Sequence, residues 1–193
     1  TTIYDPLLNA VPFATLLGLA LLLVSGLRRS LVALGLLPLL HYAIINLAPT
    51  AVLSKLTADL AAFLLCLANV QVLARGDYLF LAQRTLVVGA GCTGLNVISL
   101  SLASVVALLV LNGLMSWWRL LLLAIIAPVT AFFVNGVRVA ILCLTPLAPA
   151  AGPLAQSTSF TFWHTGSGSM LFALVVVLLL FLIEHLLRGS AWR

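Results

Sequence analysis

The chain is built from long apolar runs. Residues 7–27, 31–47, 56–73, 95–111, 120–144 and 166–187 each carry at most one formal charge. A helix needs about 20 mostly apolar residues to cross a bilayer, with a usual range of about 17–25, so each run is a candidate span. Only 7% of the 193 residues are charged and 64% are hydrophobic, whereas a soluble domain covers its surface with roughly 25% charged residues. Lipid must be the solvent for such a chain, and a soluble fold is excluded. The net charge of +5 is no nucleic-acid signature, because Lys and Arg are scattered singly or in one pair and never track a row of phosphates. Three cysteines imply no disulfide framework, and no segment reads as a signal peptide with a basic n-region. The expected fold is an all-α polytopic membrane protein, a single integral membrane domain over residues 1–193 with five to six transmembrane or re-entrant helices.

The runs are not equivalent. Residues 7–47 read as an N-terminal helix pair, with Arg28-Arg29 between its members. Residues 50–91 read as a re-entrant or interfacial helix followed by a short β-type hairpin. Its two runs, Gly76-Asp77-Tyr78-Leu79-Phe80-Leu81 and Thr85-Leu86-Val87-Val88, flank Gln83-Arg84. Residues 92–187 form a three-helix half. Trp117, Trp118 and Arg119 fall between two of its helices and Arg188 and Arg193 follow the last, whereas the Pro/Gly/Ala-rich stretch 145–165 holds no Lys or Arg. The positive-inside rule puts the first two regions in the cytoplasm and the third outside. Phe160, Phe162 and Trp163 would then lie in the outer aromatic belt.

Three residues carry possible chemistry. Arg138, in Asn135-Gly136-Val137-Arg138, lies inside an apolar run, where an arginine is costly and by default functional. The plainer reading is an arginine that snorkels to the interface; Asn135, one turn earlier and on the same face, argues for a polar face instead. Cys92 sits in Gly91-Cys92-Thr93-Gly94 at the entry to a helix, where free N–H groups and the helix dipole favour a thiolate. A small residue at a tight turn is the alternative. Cys66 and Cys143, amid Leu and Ala, read as inert buried thiols. His164, in Phe162-Trp163-His164-Thr165-Gly166, reads as opening the last helix; His41 and His185 read as polar interface residues or, at best, ligands. The charge-derived topology brings Cys92, Arg138 and His164 to one depth on one side. A thiol and a base able to take its proton are what nucleophilic catalysis requires, and an arginine can stabilise an oxyanion or hold a carboxylate. Asp77 is the internal acid best placed to meet Arg138.

The motifs Gly91-Cys92-Thr93-Gly94-Leu95, Asn135-Gly136-Val137-Arg138-Val139 and Trp163-His164-Thr165-Gly166 resemble those of the exosortase/archaeosortase family. The likeness covers about residues 50–187 and is nearest to the cyanobacterial type, whose Phe-Trp-His-x-Gly-x-Gly-Ser motif is similar to Phe162–Ser169. The resemblance implies a membrane-embedded cysteine peptidase or transpeptidase that needs no cofactor or metal. Its substrates would be exported membrane proteins with a C-terminal sorting tail: a Pro-Glu-Pro-type motif, a spanning helix and a basic cluster. Cys92 would attack the peptide bond, His164 would act as base and Arg138 would stabilise the oxyanion, with Asn135, Thr93, Gly94 and Gly166 in support. The enzyme would sit in the cytoplasmic (inner) membrane of a prokaryote, on this likeness a cyanobacterium. Its active site would face the non-cytoplasmic side, with lipid around it, possible membership of a larger membrane complex and no nucleic-acid partner. Thr93 stands where the family usually has Ser, and the chain has fewer spans than is usual. The rival reading is a non-catalytic membrane subunit binding pigment or lipid through His41, His164 and His185; a small transporter fits less well, because Arg138 is the one charge clearly inside a span.

Overall fold

The computed structural model describes residues 27–82, 84–112, 116–145, 158–164 and 167–190. The run 7–27 lies outside them except for its last residue. In chain order the elements are α1 (Leu27–Leu47), α2 (Thr50–Leu67), β1 (Val72–Arg75), β2 (Tyr78–Leu81), β3 (Arg84–Val87), a 3-10 turn (Ala90–Cys92), α3 (Leu95–Asn112), α4 (Trp117–Leu144), α5 (Thr158–His164) and α6 (Ser167–Ser190). Among the described residues four helical segments are long and apolar enough to cross a membrane: Thr50–Leu67, Ala90–Leu109, Trp117–Leu144 and Ser159–Arg188.

The elements gather into two compact units that interleave along the chain. One takes the described residues within Thr1–Ala48, Leu95–Val129 and Val177–Arg193; the other takes those within Pro49–Gly94 and Thr130–Val176. In the first, α1 packs on α3, and His41 Nδ1 lies 2.7 Å from Ser99 Oγ. The buried residues of α3 mix large side chains, Leu95, Val97, Val105 and Leu108, with small ones, Ser99, Ser101, Ala103, Ser104 and Ala107, and small residues let helices approach closely in lipid. The hydroxyls of Ser101 and Ser104 donate back to the carbonyls of Ile98 and Leu100, so burial leaves them satisfied. Glu184 pairs with Arg188 one turn later on α6.

The second unit holds a three-stranded antiparallel meander, ordered β1-β2-β3, rather than a two-stranded hairpin. The added strand takes Val72 and Leu73, expected to continue the preceding helix, together with Ala74 and Arg75. That helix stops at Leu67, and Asn69 takes a left-handed conformation (φ 58°), which Asn tolerates better than most residues and which commonly ends helices. The β1–β2 turn is the two-residue Gly76-Asp77, with Gly76 at φ 66°; glycine supplies the positive φ that a tight hairpin demands at this position. Strand alternation then divides the sheet. Val72, Ala74, Leu79, Leu81 and Leu86 face a core formed by Ala58, Ala61, Ala62 and Leu65 of α2 and Val139, Ala140, Leu142 and Cys143 of α4. Arg84 reaches from β3 to donate to the carbonyls of Leu142 and Thr145 at the C-terminal end of α4, where helix carbonyls lack intrahelical partners; the Leu142 carbonyl also accepts from the Thr145 hydroxyl. Gly136 allows α2 to close on α4, since a Cβ there would come within 2.4 Å of Leu60. Cys66 falls on the opposite face of α2 and is exposed, which corrects the expectation of a buried thiol; Cys143 is buried as expected.

Candidate functional site

The three residues singled out in the sequence, Cys92, Arg138 and His164, all belong to the second unit. A 3-10 turn delivers Cys92: its N–H donates to the Gly89 carbonyl at 2.8 Å. The Thr93 hydroxyl, fully buried, donates to the Ala90 carbonyl at 2.8 Å. A hydroxyl at position 93 thus closes the turn from below, a task Ser could perform equally, so the Thr-for-Ser departure is chemically mild. Gly94 leaves the turn at φ 81°, a conformation that disfavours any residue with a Cβ. A Cβ at Gly94 would also lie 2.8 Å from the Asn135 side chain. Cys92 itself is 5% exposed.

Asn135 and Arg138 are one turn apart on α4 and both are buried. Asn135 Nδ2 donates to the Cys92 carbonyl at 2.8 Å, and its Oδ1 accepts from an Arg138 terminal nitrogen at 3.3 Å. The other terminal nitrogen of Arg138 donates to the carbonyls of Gly91 at 3.4 Å and His164 at 3.2 Å. The guanidinium is therefore turned into the protein rather than out to headgroups. It ties together three stretches of backbone: the turn before Cys92, α4, and the end of α5. The snorkelling alternative does not describe it. Neither does a pairing with Asp77: among the described residues its hydrogen-bond partners are an amide and two carbonyls, and Asp77 contributes its own carbonyl to the Val88 N–H. The Nε of Arg138 is buried without a hydrogen-bond partner, so a guanidinium with five donors keeps unspent capacity.

His164 lies just before α6, as the sequence suggested, but it also ends a seven-residue helix, α5, that the sequence did not announce. The short helix has its own packing logic. Phe160 and Trp163 pack on the core cluster that contains Cys92 and Cys143. The His164 ring stacks on Phe160, one turn back, at a centroid distance of 5.3 Å and an angle of 15°. Gly168, early in α6, gives room for the aromatic pair, because a Cβ there would come within 2.7 Å of both Phe162 and Trp163. Sequence reasoning did not assign Gly168 a task; its signal was the glycine two places after Gly166, which lies outside the described residues.

From Trp117 to Arg138 α4 rises about 32 Å at 1.5 Å per residue, close to the roughly 30 Å depth of a hydrocarbon core. The arrangement offers a thiol, an imidazole-bearing helix end and a cation held by neutral acceptors.

No curated protein and no solved structure matches this chain. The family model of the transmembrane exosortases does, over residues 5–181, a span that takes in the 3-10 turn, the Asn135–Arg138 pair and His164. Four candidate spanning helices, a small sheet and a match over most of the length agree on one conclusion: the chain belongs to the transmembrane exosortase family.

Proposed function

We propose that this protein is a cysteine peptidase or transpeptidase of the cyanobacterial exosortase type, which removes Pro-Glu-Pro-type C-terminal sorting tails from exported proteins at the outer face of the cytoplasmic membrane. The observation that carries this reading is the Arg138 guanidinium. It bonds to the backbone on either side of the proposed chemistry, at Gly91 and at His164, and to Asn135, which holds Cys92 by its carbonyl. An arginine this deeply buried in a span, without a carboxylate among its hydrogen-bond partners, is costly unless it serves the function.

The chemistry follows from the groups. The Cys92 thiol gives its proton to the His164 imidazole, and sulfur attacks the carbonyl carbon of the scissile bond. Negative charge gathers on the carbonyl oxygen, where a preorganised donor in a water-poor site is most effective. The spare donor capacity of Arg138, its Nε in particular, suits that task. The carbon–nitrogen bond then breaks, His164 returns the proton to the leaving amine, and a thioester remains on Cys92 until water or an acceptor nucleophile releases it. Stacking on Phe160 limits the rotation of the imidazole, which lowers the entropy lost in aligning it.

Co-expression of a Pro-Glu-Pro-tailed protein with wild type and with Cys92→Ala tests the proposal. Tail removal is expected with wild type and no removal with Cys92→Ala, although the variant inserts in the membrane to the same level. Processing by Cys92→Ala would overturn the nucleophile assignment.

A further inference from the structure

Strand alternation gives the β1-β2-β3 sheet two faces, and only one has been accounted for. The outer face presents Leu73 and Arg75 from β1, Tyr78 and Phe80 from β2, and Thr85 and Val87 from β3, all exposed. In register they form two rows, Leu73–Phe80–Thr85 and Arg75–Tyr78–Val87. The rings of Tyr78 and Phe80 lie 6.2 Å apart and nearly parallel. On a water-facing sheet this side should be mostly polar. Here four of the six positions are large hydrophobics, two of them aromatic.

Three observations say what covers that face. First, the inner face lies on Ala58, Ala61, Ala62 and Leu65, within the last ten residues of α2, and on Val139–Cys143 near the end of α4. The sheet therefore covers the sides of helices that read as spans, not their tips, and its outer face points sideways, away from the helices it packs on. Second, four residues, 68–71, join α2 to β1, and seven, 88–94, join β3 to α3. At no more than about 3.6 Å per residue the sheet cannot leave the membrane surface by more than about 18 Å. Third, among the described residues β1 and β3 each have one edge that pairs with no other strand. Hydrocarbon cannot satisfy such edges, so the sheet stays at the level where water and headgroups reach them. Tyr beside a basic residue is also the composition of a membrane interface, and Arg75 and Tyr78 are cross-strand neighbours.

We propose that the outer face of this sheet rests against lipid at the boundary of headgroups and acyl chains, with Phe80, Leu73 and Val87 on the chains and Arg75 available to phosphates. The sheet is then a lateral float that fixes the depth of the chain segment leading to Cys92. This assignment concerns the surface alone and does not depend on the proposed peptidase activity.

The test uses the full chain in phosphatidylcholine vesicles, with Phe80→Trp and, separately, Thr85→Trp, each compared with wild type to isolate the added tryptophan. Circular dichroism verifies the fold of each; Thr85→Trp keeps the test open if Phe80→Trp disturbs packing. The expected result is a blue-shifted added emission, lost in vesicles whose lipids carry bromine near the headgroup and less reduced when bromine sits at the chain ends. Quenching by aqueous acrylamide with no effect of either brominated lipid would place the face in water and overturn the proposal. Protection from all quenchers would overturn it too, by showing that a second copy or another protein covers the face.

Discussion

At Gly94 the backbone and a side chain make the same demand. The residue is left-handed, with φ 81°, and a Cβ would sit 2.8 Å from Asn135, so Gly94→Ala combines backbone strain of about 1–2 kcal/mol with displacement of the amide that holds Cys92. Gly76, at φ 66°, has nothing within 4 Å of a would-be Cβ, so Gly76→Ala suffers the strain alone. Thermal unfolding in detergent is expected to rank the variants wild type, Gly76→Ala, Gly94→Ala in falling stability, with tail cleavage lost only in the last. Arg138 gives a second contrast. Its terminal nitrogens divide between Asn135 and the carbonyls of Gly91 and His164, and a lysine ammonium cannot reproduce that planar fork. Arg138→Lys is expected to insert and fold but to cleave about 100- to 1,000-fold more slowly, the loss typical of a missing oxyanion donor. Cleavage at the wild-type rate would rule the role out. The importance of Arg138 was legible in the sequence, since a charge in an apolar run asks for an explanation. Its partners were not: they are an amide and two carbonyls, and backbone acceptors leave no mark in a residue pattern. Asp77, the best internal acid that the sequence offered, is not among the partners that the structure gives Arg138.

Among the elements, α3, α4 and α6 were legible nearly to their ends because uninterrupted apolar length is a strong signal, whereas α1 begins at Leu27 and takes in Arg28-Arg29, read as lying between two helices, and α2 runs Thr50–Leu67 rather than over 56–73. The sheet was legible only in part. Tyr78–Leu81 and the strand after it announced themselves through Gly76-Asp77, whereas Val72–Arg75 continued an apolar run whose period does not separate helix from strand. Asn69 was the available cue, one Asn able to turn left-handed. The seven-residue α5 was missed for the opposite reason: it is too short to show a helical period and is held by the packing of Phe160 and Trp163. The join between sheet and helix can be tested at Arg84. Its side chain caps α4 by bonding to the Leu142 and Thr145 carbonyls, and hydrogen bonds of a charged group contribute about 1.5–3 kcal/mol. Arg84→Ala is expected to lower the unfolding midpoint and to speed amide exchange at the end of α4 more than in α3. Uniform exchange would show that the cap is unimportant.

For the molecule as a whole, the charge pattern makes a statement about sidedness. Arg119 and Arg188 flank one end of α4 and of α6, and the stretch 145–157 lacks Lys and Arg altogether. Single cysteines at Ala150 and Ser190, in a chain whose native cysteines are replaced where accessible, are expected to react with an impermeant thiol reagent in intact cells at 150 but not at 190. The reverse would put the cluster on the cytoplasmic side and end the proposed role in export. Family membership was legible because three short motifs occur in the right order, and the family match over residues 5–181 spans all three. The way Arg138 is satisfied also has a bearing on how the protein is made. When Arg138 leaves the ribosome, Asn135 and the Gly91 carbonyl have already emerged, but His164 follows 26 residues later. At about 5–20 residues per second that interval lasts about 1–5 s. For that time the guanidinium must wait, short of one acceptor, beside the translocon or at the membrane edge, so translation speed between α4 and α5 is a parameter of correct insertion, and a pause there lengthens the exposure of an incompletely bonded charge.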